Sequence, residues 1–425
     1  MKLVKTVSII LVLVLIALPS ITAQGQKDDS DTITLNFASW SILEKGTQGY
    51  FEELKSDFEQ ENPGIEIEYQ GYPYGGLKTQ ALIMANAGEA PDIIQSARSW
   101  YPSFVIGGYV TDMSKLMGDA YMDDIFPEIL ADMEYDGGIY GIPWKVCPFV
   151  MFYNKELFRQ AGLNPEQPPR TYEEALEYAT EISKLRDSDG NKVFGLGQTT
   201  GAVPVSGGSV LSMMFSFGGG LTDENGNVDI DNANNIAAFS FLAELDEKGF
   251  NPEGALLKDL RNLFAIGRLG MYFDQMWGMT GVYAINPDIR PDVGMSNPLG
   301  GNGKAPGSTL EAHLLLVSED SRHKEAAAKF IEFATSPEQI SKYYQITPFL
   351  LPRESQVEVA ENYSDNPFIV PVLDYAETIN EVKKDGDMEN VFIELTNTAQ
   401  EVTVGGVDPA KAVRDLEQRV RPLLE

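Results

Sequence analysis

Apolar residues alternate with polar ones in the stretch TITLNFASW, placing Ile33, Leu35 and Phe37 on one face. That period of two predicts a strand. In TQGYFEELKSDFEQ the period changes: Tyr50, Leu54 and Phe58 recur every four residues, a helical stripe that Asn62-Pro63-Gly64 ends. IEIEY resumes the alternation with Ile65, Ile67 and Tyr69, GLKTQALIMANAG reads as a second helix with Gly88 at its C-terminal cap, and PDIIQ reads as a short apolar strand. Strand, helix, strand, helix, strand in that order predicts an α/β fold with a parallel sheet and right-handed crossovers.

Further along, Asn154 is placed to cap a helix whose Leu157, Phe158 and Ala161 face inward and which Gly162 ends. The eleven residues before it are rich in rings, and Pro143 and Pro148 keep them extended. Asp231 is the expected cap of the helix ANNIAAFSFLAELDEKG. FAIGRLGMYF predicts a helix ending at Gly267 and then a strand. SNPLGGNGKAPGS, residues 296–308, is a Gly- and Pro-rich surface crossing, LEAHLLLVSED a strand, and the chain closes in amphipathic helices such as DPAKAVRDLEQRVRPLL. No internal repeat is visible.

At 425 residues the chain exceeds one ordinary core, so two domains are expected. Its first 23 residues differ from the rest. Lys2 and Lys5 precede an apolar run from Val7 to Leu18, which Pro19 breaks before small residues end at Ala23. That is the order of a secretory signal, expected to be cleaved near Ala23. No cysteine stands there to carry a lipid, which favours a free periplasmic protein, and no later run suits a membrane span, so no stable membrane insertion is expected. The formal net charge of −31 argues against nucleic acid and anionic lipid as partners. Cys147 is the one cysteine, so no internal disulfide can form, and beside Trp144 it reads as a buried apolar residue.

Little in the sequence suits catalysis. The two histidines, His313 in an apolar strand and His323 at a helix start, do not make a triad or a zinc set. There is no G-x-S-x-G and no phosphate-binding loop. Asp187, Asp189 and Asn191 imitate the start of a calcium loop, but its twelfth position is Gln198 rather than Glu, so the stretch reads as a turn. Among 63 acids a glycosidase-like pair could exist, and nothing selects one. No cofactor and no metal are therefore expected. What stands out is a set of rings on loops. In open α/β sheets ligands sit beyond the carboxyl ends of the strands. There the chain places Trp40, then Tyr72 and Tyr74, then Ser96, Arg98 and Trp100. Flat rings stack on the C–H faces of sugars, and amides and carboxylates satisfy hydroxyls.

Several motifs together resemble the extracellular solute-binding proteins of family 1, the sugar-capturing components of ABC importers related to maltose-binding proteins. The run Gly137 to Pro143, then Tyr153-Asn154-Lys155-Glu156-Leu157-Phe158 through Ala161-Gly162-Leu163, is the most specific part. It is followed by Pro169 to Glu174, and accompanied by APDI (90–93), GRLGM (267–271) and AAAKFIEF with SPEQ (326–339). The resemblance runs from about residue 32 to the C-terminus. It implies a two-lobe periplasmic-binding-protein fold, type II-like, with hinge strands and a ligand cleft between the lobes. The expected division is 32–143 plus 298–340 in one lobe and 144–297 plus 341–425 in the other. It implies ligand contacts from Trp40, Tyr72, Tyr74, Trp144 (with Lys145 at the cleft edge), Gly218, Gly219, Asp274, Trp277, Ser308 and Glu311, with Trp277 as the stacking platform. It also implies a monomer that captures a mono- or oligosaccharide without chemistry and delivers it to the permease subunits of an ABC transporter. The alternatives are a non-sugar solute on the same fold or, further off, a secreted carbohydrate-active enzyme.

Overall fold

The computed structural model describes residues 32–44, 46–361 and 387–425. The expected leader, residues 1–23, lies outside them.

The described residues form ten strands: β1 (Ile33–Ser39), β2 (Ile65–Gly71), β3 (Ile93–Ala97), β4 (Glu134–Tyr135), β5 (Gly138–Ile139), β6 (Ile142–Asn154), β7 (Phe194–Gly197), β8 (Leu269–Gln275), β9 (Val293–Ser296) and β10 (Leu310–Val317). Strands β4 and β5 form a small ribbon. The others form one sheet in the order β2-β1-β3-β10-β6-β8-β7, with β9 also on β6. The β1–β2 and β1–β3 pairings are parallel, as the strand–helix alternation predicts. Strand β10 then runs antiparallel to both β3 and β6.

Strand β6 joins two half-sheets. Ile142 to Pro148 pair with β10, whereas Phe149 to Tyr153 pair with β8 and Met151 to Asn154 with β9. Its 13 residues are all buried, and at about 3.3 Å each they reach about 43 Å. One continuous strand therefore belongs to both halves. A register shift between His313 and Leu314 pairs Lys145 with His313 but Pro143 with Leu314, leaving Trp144 without an opposite residue. Such a bulge re-aims the neighbouring side chains.

In the first half, the helix Gln48–Glu61 buries Tyr50, Phe51, Leu54 and Phe58. The Asn62 amide ties off that helix by donating to the Phe58 carbonyl at 2.8 Å. In the second, the helix Met388–Thr403 buries Val391, Leu395 and Ala399 against the helix Pro204–Ser216, and the helix Pro409–Leu424 buries Leu416 and Val420 against Met388–Thr403 and Ala233–Glu247. The first of these contacts is close: a Cβ on Gly207 would lie 2.1 Å from the Phe392 carbonyl oxygen. Asn154 caps the helix Lys155–Gln160 through the Leu157 N–H at 3.0 Å.

Two expectations need correction. Asn232, not Asp231, caps the helix Ala233–Glu247, because its carboxamide oxygen reaches the N–H groups of Asn234 and Asn235. The division of the chain also falls elsewhere than at 143/144 and 340/341. The half-sheets meet inside β6, at Pro148/Phe149. Residues just after 340 pack on the first half: Tyr343 stacks on Tyr50 with centroids 4.5 Å apart, and Leu350 bridges to Val146.

Candidate ligand-binding site

A cavity of about 530 Å³ lies between the halves. From the first half it takes Trp40, Glu44, Tyr74, Lys145, Glu311 and His313. From the second it takes Val203 to Val205, Lys258, Arg261, Gln275, Trp277 and Phe392.

The first wall is aromatic and braced. Trp40 follows β1 directly, and Tyr74 opens the helix Tyr74–Asn86 after β2. Their centroids are 5.2 Å apart at 89°, and Trp100, after β3, meets Trp40 at 5.2 Å and Tyr74 at 4.8 Å. The three loops thus meet in one cluster, of which Trp40 and Tyr74 line the cavity while Trp100 supports them. Beneath, the buried Gln95 carboxamide links the wall to β10. Its oxygen accepts from the Ser41 N–H at 3.3 Å, and its nitrogen donates to the Ser41 hydroxyl at 2.9 Å and faces His313 Nδ1 at 3.3 Å. His313 lies between two indoles, 4.8 Å from Trp40 and 4.5 Å from Trp277. Burial, and then the neighbouring Lys145 charge, hold its pKa well below the ordinary value, so the ring is neutral.

The second wall is ionic. Arg261, from the helix Leu257–Ala265, meets Asp274 in β8 through two hydrogen bonds of 2.7 Å. Burial alone would lower the guanidinium pKa. Asp274 reverses this, and the group stays charged. Gly278 makes the geometry feasible, since a Cβ there would lie 2.1 Å from Asp274 Oδ2. Trp277 turns its N–H to Gln275 Oε1 at 3.0 Å and leaves a half-buried ring on the cavity.

Of the residues singled out in the sequence, Trp40, Tyr74, Trp277 and Glu311 share this cavity, and six do not line it. Trp144 is fully buried among Phe37, Phe51 and Tyr343, with centroids at 6.3, 6.0 and 5.2 Å. The expectation that Trp144 and Lys145 share the cleft edge is therefore half corrected: Lys145 lines the cavity and Trp144 belongs to the core. Tyr72 packs against the core, its hydroxyl 3.8 Å from the Met84 sulfur. Ser308 is buried and accepts from the Phe149 N–H at 2.9 Å, fastening the crossing segment to β6. Gly218 takes φ +80° in the turn after the helix Pro204–Ser216, and Gly219 lies so close that a Cβ would sit 2.0 Å from Asn235 Oδ1. Both serve that turn. Asp274 stands behind Arg261 rather than on the cavity surface.

The sequence reading did not name Arg261, Gln275, His313 or Phe392 as contacts. His313 had a signal, since it stands two residues from Glu311 on one strand and therefore on its face. Phe392 had none, its neighbours in the cavity being distant in sequence. Cys147 is buried and accepts from the Met276 N–H at 2.8 Å. Burial pushes its thiol pKa up, so it offers no thiolate. Among the described residues no helix is long and apolar enough to cross a membrane.

A family model for bacterial extracellular solute-binding proteins matches residues 43–340. A protein of Brucella abortus, named for binding without a stated ligand, is 24% identical over 411 residues, 96% of each chain. The arabinooligosaccharide-binding protein of Bacillus subtilis is 23% identical over 360 residues, 79% of this chain and 77% of its own. In three dimensions the chain is similar to the GacH receptor of Streptomyces glaucescens, whose structures include a complex with acarbose. The TM-score is 0.82 at 22% identity, over 92% of this chain and 98% of that one. The fold is accordingly the two-lobe α/β arrangement of periplasmic binding proteins, with the cavity between the lobes.

Proposed function

The chain belongs to the bacterial extracellular solute-binding proteins, and on that premise we propose that it captures a mono- or oligosaccharide in the periplasm and delivers it, uncleaved and as a monomer, to an ABC-type importer. The observation that carries this reading is the meeting of rings from both lobes, Trp40 and Tyr74 from one and Trp277 from the other, around one cavity with Gln275, His313 and Glu311 among them. Apolar ring faces fit the C–H faces of a sugar, and the polar groups fit its hydroxyls. The volume falls within the roughly 300–1,000 Å³ common to small-molecule sites. The name of the Bacillus subtilis relative supports a sugar as cargo.

Capture works through closure. The lobes are joined by β6 and by the segment 297–309, and a ligand touching both walls binds the closed form better than the open one. That difference in affinity is what shifts the population. The test is a thermal-shift screen of the purified mature chain with neutral, acidic and amino sugars beside amines, amino acids and inorganic anions. At least one sugar should raise the melting temperature with rising concentration, since ligand at a hundredfold excess over Kd adds about 2.7 kcal/mol to the folded state. A clear shift with a non-sugar and none with any sugar would overturn the carbohydrate reading. Sugar products accumulating during long incubation would overturn the non-catalytic one.

A further inference from the structure

We propose that the solute is an acidic sugar and that Lys145 receives its carboxylate. This inference rests on the sugar-binding reading above and narrows it.

Among the described residues, three cations line the cavity; Lys258 is exposed, and the other two can be compared. Arg261 is matched by Asp274, held in two hydrogen bonds. Lys145 is 1% exposed, and its hydrogen-bond partner among the described residues is a neutral one, the Tyr343 hydroxyl at 2.8 Å. An ammonium carries three donors, so two remain for whatever occupies the cavity. Three rings soften the charge, Tyr343 at 4.5 Å, Trp144 at 5.7 Å and Trp277 at 5.9 Å. Such contacts are individually weak beside the cost of taking an ion fully out of water. Compensation for that charge therefore falls to whatever fills the cavity that Lys145 lines. A carboxylate supplies it with charge-assisted hydrogen bonds, about twice as strong as neutral ones.

His313, opposite Lys145 in the sheet, adds a directed donor. The backbone N–H of Ser41 fixes the Gln95 oxygen on its side, so the Gln95 nitrogen donates to His313 Nδ1. The neutral ring therefore carries its proton on Nε2. Glu311, on the same face of β10, lines the same cavity, about 7 Å further along at two strand residues. It disfavours a second negative charge, which selects a singly charged carboxylate over a phosphate dianion, and it accepts from hydroxyls at the other end of the ligand. Lys145 and Glu311 thus differ in sign and would fix which way round the sugar lies.

The test is calorimetric titration of the full mature chain with matched pairs: glucuronate and galacturonate, and their di- and trimers, against the corresponding neutral sugars, with glucose 6-phosphate as a third arm. At least one uronate should bind with a Kd tenfold or more below that of its neutral parent. Lys145→Gln should erase most of that gap, so that the uronate and its neutral parent bind the variant within about threefold of each other. Neutral sugars binding as well as the uronates would overturn the acid assignment and leave the carbohydrate reading standing. Tighter binding of the sugar phosphate, or a gap that survives in Lys145→Gln, would overturn it too. Absence of binding by every sugar, acidic or neutral, would overturn both readings. If the variant fails to fold, the matched pairs on the unchanged chain decide.

Discussion

The two walls of the cavity are built on different principles. The first is a cluster of rings at the ends of three neighbouring parallel strands, braced from below by Gln95 and His313. Its members come from consecutive loops, and the sheet order brings them together. The second draws on four separate stretches, Val203 to Val205, the helix carrying Arg261, the end of β8 and the helix carrying Phe392, and is held by an ion pair. The first wall keeps its shape by ring packing and neutral hydrogen bonds. The second depends on charge neutrality within the lobe.

The largest effects should follow from attacking what each wall rests on. Asp274→Ala strips the buried partner from Arg261 and should cost about 3–5 kcal/mol of stability, the usual penalty for halving a buried pair, read by denaturant unfolding. Restored stability in Asp274→Ala with Arg261→Met would locate the cost in the orphaned charge, and an undiminished loss would contradict it. Trp144→Ala should likewise cost about 3–5 kcal/mol through a core cavity. The contrast is Trp277→Ala, whose half-buried ring faces the cavity. It should weaken ligand binding about tenfold or more while shifting unfolding by about 1 kcal/mol, an order of effect suited to a lost aromatic contact. Equal behaviour of the two tryptophan variants would erase the distinction between core and site.

A smaller effect concerns pH. His313 is neutral in the folded protein and faces Lys145 and Gln95, so its folded pKa lies below the unfolded one. Above pH about 6.5 both states are neutral and the group contributes nothing. As the pH falls through that value the unfolded chain takes up a proton that the folded chain refuses, and stability drops by at most about 1.4 kcal/mol per pH unit. His313→Gln should flatten that slope between pH 6.5 and 5, and an unchanged slope would assign it to other groups. The smallest effect belongs to the ion pair between Lys78 in the first lobe and Glu389 in the second, which joins the lobes beside the cavity. It is partly exposed and worth about 1 kcal/mol or less. Glu389→Gln should leave unfolding nearly unchanged and weaken ligand affinity by about threefold or less, if that pair favours the closed form.

The sequence by itself determined the elements and their class. Periods of two and four placed β1, β2, β3 and the helices between them, and capping chemistry placed the helix after Asn154. These signals are local, each read from residues within one or two turns of one another. It also determined which loops carry rings, because parallel strands put successive loops at one end of the sheet. Only the tertiary structure decided which rings face a ligand. Trp144 and Lys145 are neighbours in sequence, yet a strand sends adjacent side chains to different surroundings, and a bulge whose position depends on β10, some 165 residues away, sets which goes where. Arg261, Phe392 and the segment after residue 340 owe their places to packing between distant stretches, for which one chain's spacing holds no record.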